Sequence, residues 1–180
     1  AYSMGGHILR LVADKHPEWF SQVIMLATFP HTGITVQGCW NFFSALPGPF
    51  IRGSIWPFTG QLKLTKRQQY QDFLFQGCDP ATIPTMYEML RTVDKSHFEP
   101  AWPLFQLGVP GFRKAAPPLR IKQVVAWIPT KDILCTHRSY PKEPQIITRT
   151  CENVGHGFVF SDKVMHQVIE ESLAQFKSQT

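Results

Sequence analysis

The sequence lacks the closely spaced cysteine pairs that mark metal and redox sites in small domains. Its four cysteines lie far apart and none belongs to a CxxC motif: Cys39, Cys78, Cys135 and Cys151. Neither a structural zinc site nor a thioredoxin-like site is therefore indicated, and the pattern predicts ordinary thiols. Four cysteines allow several pairings between which the sequence does not choose, so a disulfide such as Cys39–Cys78 stays open.

Long apolar runs and a basic stripe are also lacking. No stretch approaches the roughly 20 apolar residues of a membrane-spanning helix, which predicts no integral membrane segment. Lys and Arg total 18 against 13 Asp and Glu, but they are scattered, and only Lys63, Lys66 and Arg67 cluster. This distribution is typical of a solvated surface and predicts no nucleic-acid partner. No signal peptide is recognisable, which leaves the compartment open with an intracellular location slightly favoured.

The regular elements lie at the two ends of the chain. With 180 residues, 43% of them hydrophobic, the chain can bury the core of one domain. After the small-residue segment AYSMGG, apolar residues at helical spacing predict a helix that ends near Lys15. Short β-branched runs predict strands at 22–27, 119–128 and 144–152, the first of them buried on both faces. A last helix is predicted over 161–177, capped by Ser161 or Asp162, and this order of elements predicts an α/β fold.

Between these ends the composition changes. From about 31 to 118, Pro and Gly interrupt aromatic clusters, and the stretch is predicted to be a mainly helical insertion. Two helices are predicted inside it, one opening at Thr65 and one at Asp79. Its aromatic residues predict an apolar interior for the insertion, and a partly apolar binding cleft is compatible with them: Trp40, Phe42, Phe43, Phe50, Trp56 and Phe58.

Three residues are placed as a serine nucleophile and its partners would be. Serine is a poor nucleophile unless a base lies within hydrogen-bond reach and a third group orients that base. Ser3 stands in the small-residue turn before the first helix, Asp132 follows the strand ending VVAWI, and His156 follows the strand IITRT. A carboxylate and a histidine thus stand at strand ends after the serine, in the chain order Ser, Asp, His, which makes the three side chains candidates for a catalytic group.

This arrangement resembles the α/β-hydrolase superfamily. AYSMG matches the nucleophile elbow GxSxG, Asp132 is followed by Ile133 and Leu134 as the acid of that family often is, and GHGF stands before the last helix. The resemblance covers 1–30 and 119–180 as the C-terminal part of a mostly parallel sheet with flanking helices, and it makes 31–118 a cap. It implies a serine hydrolase for an ester or related acyl substrate, without metal or organic cofactor.

The resemblance also assigns a role to each residue. Ser3 is expected to attack the carbonyl carbon, His156 to act as base and then acid, and Asp132 to orient His156. The backbone N–H of Met4 is expected to help hold the oxyanion. Serine in the elbow disfavours the dehalogenase branch, which carries aspartate there, but carbon–carbon bond hydrolysis and acyl transfer stay open. The substrate, the acyl chain length and the oligomeric state are not predicted.

Each assignment has competitors. The other family position for the acid, in the segment ATFPHTGITVQGCW, contains no carboxylate, which favours Asp132 and leaves Glu143 and Glu152 as its alternatives. The remaining histidines lack the turn before the last helix and are disfavoured as the base: His7, His16, His31, His97, His137 and His166. Two departures from the family pattern are Ala1 in place of the first elbow glycine and Pro129 three residues before the acid, where glycine is common.

The resemblance begins at the elbow. The family's earlier strands and the loop with its second oxyanion donor precede the nucleophile, so the chain looks like the C-terminal portion of a hydrolase. We therefore expect the isolated chain to be inactive or poorly folded, since the loss of one oxyanion donor costs about a hundredfold to a thousandfold in rate and an unpaired buried sheet edge favours aggregation. The alternative is a non-catalytic α/β-hydrolase-like protein or fragment that keeps the fold for binding.

Overall fold

Three parallel strands organise the described part of the chain. The computed structural model describes residues 1–3, 5–29, 31, 40, 44, 75–78, 81, 116–132, 135 and 143–179. Its main elements are α1 (Gly5–Lys15), β1 (Gln22–Leu26), β2 (Gln123–Pro129), β3 (Ile146–Cys151) and α2 (Asp162–Lys177). Short 3-10 helices follow α1 at Pro17–Trp19 and precede α2 at His156–Phe160.

The strand order in the sheet is β1-β2-β3, with both pairings parallel. Gln22 lies opposite Gln123, and Val124 opposite Ile146. Tyr2 forms a parallel bridge with Leu26, and the Ser3 N–H donates to the Leu26 carbonyl at 2.9 Å. The residues before the first helix thus run beside β1 and parallel to it until the turn at Ser3.

The sheet separates two hydrophobic clusters, each covered by one helix. Ala13 of α1 packs with Val23, Met25 and Ile128, and Phe176 of α2 belongs to the cluster on the opposite face. β2 is buried at every position after its first residue. β1 differs from its prediction, because only alternate residues are fully buried, and the side chains on the α2 face stay half-buried. α2 packs on β2, which leaves β1 at the margin of that cluster.

All three strands are also shorter than predicted, and β3 runs over Ile146–Cys151 rather than 144–152. β2 begins at Gln123 rather than 119, because β1 begins at Gln22 and offers no partner earlier; Leu119 is still buried in the core. β1 ends one residue early, since Ala27 turns to φ 45°. Ser161 occupies the N-cap position of α2 without a capping hydrogen bond from its side chain.

Much of the predicted insertion lies outside the described residues. This holds for the helices expected from Thr65 and Asp79 and for most of the aromatic run, although Trp40 is described and exposed. The two ends of the stretch meet, because the Ala116 N–H donates to the His31 carbonyl at 2.7 Å. The division into core and cap stays a prediction. None of the described helices combines the length and apolar character needed to cross a membrane.

Candidate active site

Ser3 sits on a strained turn between β-structure and α1. Its φ is 50°, in the left-handed region that costs a residue other than glycine about 1–3 kcal/mol. The turn is closed by the Gly5 N–H, which donates to the Tyr2 carbonyl at 2.7 Å, and by the Gly6 N–H, which donates to the Ser3 carbonyl at 3.1 Å. Such strain at a polar residue is typical of functional turns.

The small residues of this turn are not equally necessary. A Cβ atom at Gly6 would overlap the side chain of Thr28, just beyond β1, whereas a Cβ atom at Gly5 would meet nothing within 4 Å. Gly6 is therefore the position at which α1 approaches the sheet closely. Met4, the expected oxyanion donor, lies outside the described residues.

The segments after β2 and β3 are hydrogen-bonded to one another. The Thr130 N–H donates to the Cys151 carbonyl at 2.9 Å, and the Lys131 N–H donates to the Val154 carbonyl at 3.0 Å. The Asn153 N–H donates to Thr130 Oγ1 at 2.9 Å. Two adjacent parallel strands thus deliver their following loops to the same place, which is why residues 24 positions apart meet there.

The structure brings Ser3, His156 and Asp132 into one hydrogen-bonded chain. His156 Nε2 lies 2.9 Å from Ser3 Oγ, and His156 Nδ1 lies 2.7 Å from Asp132 Oδ2. An ionised carboxylate only accepts hydrogen bonds, so Nδ1 carries the proton and Nε2 is free to accept from the serine hydroxyl. The Asp132 side chain is fully buried and that of His156 nearly so, whereas Ser3 is partly exposed.

The second oxygen of Asp132 is also held. Oδ1 accepts from the Cys135 N–H at 3.0 Å, while the Asp132 N–H approaches the Pro129 carbonyl at 3.3 Å. Pro129 is the last residue of β2 and lies opposite Cys151 in the ladder. Proline at this position is therefore compatible with a loop that directs the carboxylate towards His156.

Tyr2 also belongs to this site, although the sequence analysis did not predict a role for it. Its hydroxyl donates to the His156 carbonyl at 3.1 Å, and its ring lies 5.2 Å from the imidazole. Burial, and then the charge of Asp132, raise the pKa of the phenol well above its ordinary value, so it stays a neutral donor. Its place beside Ser3 in the elbow was the only signal available.

The competing acids and bases lie elsewhere. Glu143 is paired with Arg10 on α1, and Glu152 is exposed. His16 is half-buried and lies beside Glu18, and His166 is exposed and lies beside Glu170. His7 is buried, and its pKa is lowered first by burial and then by Arg10, while His97 and His137 are outside the described residues.

Three cysteines are described, and all are free thiols: Cys78, Cys135 and Cys151. Within the described part of the chain, Asp132, Cys135 and His156 offer ligand atoms within 4.8 Å of one another. Each of these groups is already engaged, since the Cys135 thiol donates to the Ala27 carbonyl at 3.2 Å and the other two bind each other. Burial, and then Asp132, raise the pKa of the Cys135 thiol, which disfavours the thiolate that a metal needs.

A cavity of about 580 Å³ opens at the far end of α1. Its walls are Leu11, Val12, Asp14, Lys15, His16, Trp19 and Pro117. An 11-residue helix is roughly 15 Å long, so a molecule in this cavity would be a helix length away from Ser3. It is not a substrate site for Ser3.

Comparisons with solved structures identify the fold of the chain. No protein-family model matches the sequence, and no curated protein resembles it significantly. A putative non-heme bromoperoxidase, BpoC from Mycobacterium tuberculosis H37Rv, superposes with a TM-score of 0.65 at 15% identity over 99% of this chain. An alpha/beta hydrolase fold protein from Chitinophaga pinensis gives 0.56 at 17% identity over 95%. The serine hydrolase CCSP0084 from Cycloclasticus zankles gives 0.55 at 12% identity over 96%. The chain has the α/β-hydrolase fold.

The alignment covers nearly all of this chain but only part of each of the three other proteins. This chain spans 66%, 62% and 61% of the lengths of those three proteins, respectively. At such low identity the similarity concerns the fold rather than the chemistry.

Proposed function

We propose that this chain carries the nucleophile, base and acid of a serine hydrolase acting on esters or related acyl compounds. The observation that supports this most is the linear arrangement of Ser3 Oγ, His156 and Asp132, with contacts of 2.9 and 2.7 Å. Distances of this kind are those at which a base can take the serine proton and an acid can orient the base. The backbone strain at Ser3 adds support, because in α/β-hydrolases the nucleophile sits on a strained turn that exposes its side chain.

The first half of the reaction transfers the acyl group to the protein. Ser3 Oγ bonds to the carbonyl carbon while its proton passes to His156 Nε2, and the electron pair of the carbonyl bond moves to oxygen. The tetrahedral intermediate then collapses, the bond to the leaving alcohol oxygen breaks, and that oxygen takes the proton from Nε2. Asp132 holds Nδ1–H throughout and stabilises the imidazolium by charge.

The second half repeats these steps with water. Water attacks the acyl carbon, gives a proton to Nε2, and the collapse returns the proton to Ser3 Oγ with release of the acid. The N–H of Met4, the residue that follows Ser3 in the sequence, is our candidate for one donor to the oxyanion. No step requires a metal or an organic cofactor, and the substrate class is proposed no more finely than an acyl compound.

Covalent labelling tests this proposal. The purified chain is treated with a fluorophosphonate probe, which phosphonylates activated serines, and the labelled peptide is identified by mass spectrometry. We expect the label on Ser3 and its loss in Ser3→Ala and His156→Ala. Ser178→Ala is the matched control, because Ser178 is exposed at the end of α2 and bonds only within that helix end.

Turnover of p-nitrophenyl esters of increasing acyl length then tests hydrolysis itself. Labelling of Ser3 together with ester turnover supports the hydrolase. If wild-type protein with a native circular dichroism spectrum is neither labelled nor active, the proposal is wrong. The non-catalytic binding protein of the same fold would then be the better description.

A further inference from the structure

A short turn from the predicted insertion contacts the loop that carries His156. The Gly155 N–H donates to the Gln76 carbonyl at 2.6 Å. The Cys78 thiol donates to the Gly157 carbonyl, with Sγ 3.4 Å from the oxygen. The residues on both sides of His156 are thus hydrogen-bonded to Gln76 and Cys78, which lie 79 positions earlier in the chain.

The two backbones approach each other closely at a glycine. Gly77 has a φ of 74°, and a Cβ atom on it would overlap the Asn153 carbonyl oxygen. A Cβ atom on Gly155 would likewise lie only 3.1 Å from the Gln76 side chain. The fit therefore depends on the absence of a side chain at Gly77, whereas a Cβ atom at Gly155 would require its neighbours to shift only slightly. A residue with a side chain at Gly77 would be strained by its dihedral angle and would also push the His156 loop away.

Aromatic packing fixes the turn on its other side. Phe75 is almost completely buried and meets Phe160 edge-on, with ring centroids 6.4 Å apart. Phe160 ends the 3-10 helix that begins at His156 and also meets Tyr2 edge-on. The turn at 75–78 and the imidazole loop consequently form one packed unit, with Tyr2 holding the His156 carbonyl from the Ser3 side.

We infer that the turn Gln76–Cys78 is a positioning element for His156, an inference that rests on the proposed serine hydrolase function. Its two hydrogen bonds fix the main chain before and after the imidazole, and this keeps Nε2 at hydrogen-bond distance from Ser3 Oγ. A base must lie within about 2.6–3.2 Å of the proton that it takes, and a displacement of about 1 Å costs on the order of a hundredfold in rate. The turn, which belongs to the stretch predicted to be a cap, thereby affects the proton transfer indirectly. It holds the backbone on either side of His156 through Gly155 and Gly157.

The experiment measures ester turnover and the imidazole signal in variants of the full chain. For Gly77→Ala we expect kcat to fall by about a hundredfold with little change in KM, since the base and not the substrate is displaced. For Cys78→Ala we expect a fall of about fivefold, as for the loss of one neutral hydrogen bond. Cys78→Ser restores most of it, because a hydroxyl can donate to the same carbonyl.

The second measurement, the proton NMR signal of the imidazole, would not change if the turn only stabilised the fold. The His156 Nδ1 proton, buried against Asp132, gives a resolved downfield proton NMR signal, and its position and exchange rate report the imidazole geometry. We expect Gly77→Ala and Cys78→Ala to shift and broaden it. Ile146→Val is the control, because it weakens the core at the start of β3 without contact to this loop, and we expect it to leave kcat and the signal unchanged.

The outcomes distinguish failure of the proposed hydrolase function from failure of the positioning role of the turn. Wild-type protein without turnover or labelling overturns the proposed function, while the NMR signal still tests the positioning of His156 by the turn. Active wild-type protein whose Gly77→Ala and Cys78→Ala variants keep kcat and the Nδ1 signal overturns the inference. If Gly77→Ala does not fold, the pair Cys78→Ala and Cys78→Ser decides, and equal kcat and spectra in both would contradict it.

Discussion

Arg10 and Glu143 form a bidentate ion pair inside the protein. Arg10 Nη1 lies 3.0 Å from Glu143 Oε2 and Nη2 lies 2.5 Å from Oε1, with the guanidinium fully shielded from solvent. The pair joins α1, the helix that follows Ser3, to the segment that leads into β3. It fixes the helix of the proposed nucleophile to the strand whose far end leads to His156.

Breaking this pair on one side leaves a buried charge without its partner. We expect Arg10→Met to lower the free energy of unfolding by about 3–5 kcal/mol. The double variant Arg10→Met/Glu143→Leu should recover most of that loss, because it removes both charges and fills the space with apolar groups. Urea denaturation measures both. A single variant as stable as wild type would contradict the assigned pair.

Asp132 is expected to matter for rate rather than for folding. Asp132→Asn keeps the shape of the side chain but permits the wrong tautomer of His156, so kcat should fall by about 10⁴-fold. Glu152→Gln is the matched control, since Glu152 is exposed and the sequence alone left it open as the acid. Steady-state ester hydrolysis compares the two variants. A larger loss in Glu152→Gln than in Asp132→Asn would assign the acid elsewhere.

The sequence was informative where chemistry and local structure coincide. Asp132 and His156 each follow a strand pattern and Ser3 stands in the turn before the first helix pattern, so their meeting could be predicted from the resemblance to the elbow, acid and base of an α/β-hydrolase. The two helices at the ends of the chain were predictable for a similar reason, because their apolar periodicity is contained within one segment.

The supporting contacts could not be predicted in this way. The Tyr2 hydroxyl bonds to a carbonyl 154 residues later, and the Gly155 N–H bonds to the Gln76 carbonyl. Backbone carbonyls are present at every residue and leave no trace in the sequence. The ion pair of Arg10 with Glu143 was hidden as well, because a charged residue on a helix is normally solvated and gives no sign of burial.

Gly6 and Gly5 offer a direct test of the elbow packing. Gly6→Ala introduces a methyl group against Thr28 and should lower the free energy of unfolding by about 1–3 kcal/mol. Gly5→Ala meets open space in the first turn of α1 and should be neutral or stabilising by up to about 1 kcal/mol. The urea midpoints of the two variants give the comparison, and equal midpoints would show that the approach of α1 to Thr28 is looser than described.

The buried thiol of Cys151 should make the free energy of unfolding depend on pH in alkaline solution. Burial, followed by the charges of Glu171 and Glu152, raises its pKa from an ordinary value of 9.0 to about 12. Between these values the unfolded chain loses the thiol proton while the folded protein keeps it. The unfolded state therefore binds fewer protons, and stability falls as pH rises above about 9, by up to about 1.4 kcal/mol per pH unit for one thiol.

Replacing the Cys151 thiol should remove this contribution to the pH dependence of stability. Cys151→Ser keeps a group of similar size that does not titrate in this range, so its free energy of unfolding should fall less steeply between pH 9 and pH 11 than that of the wild type. Urea titrations at each pH measure the two slopes, and the titration of lysines common to both proteins cancels in the difference. Parallel slopes would mean that Cys151 ionises as readily in the folded protein as in the unfolded chain, and that the end of β3 is open to solvent.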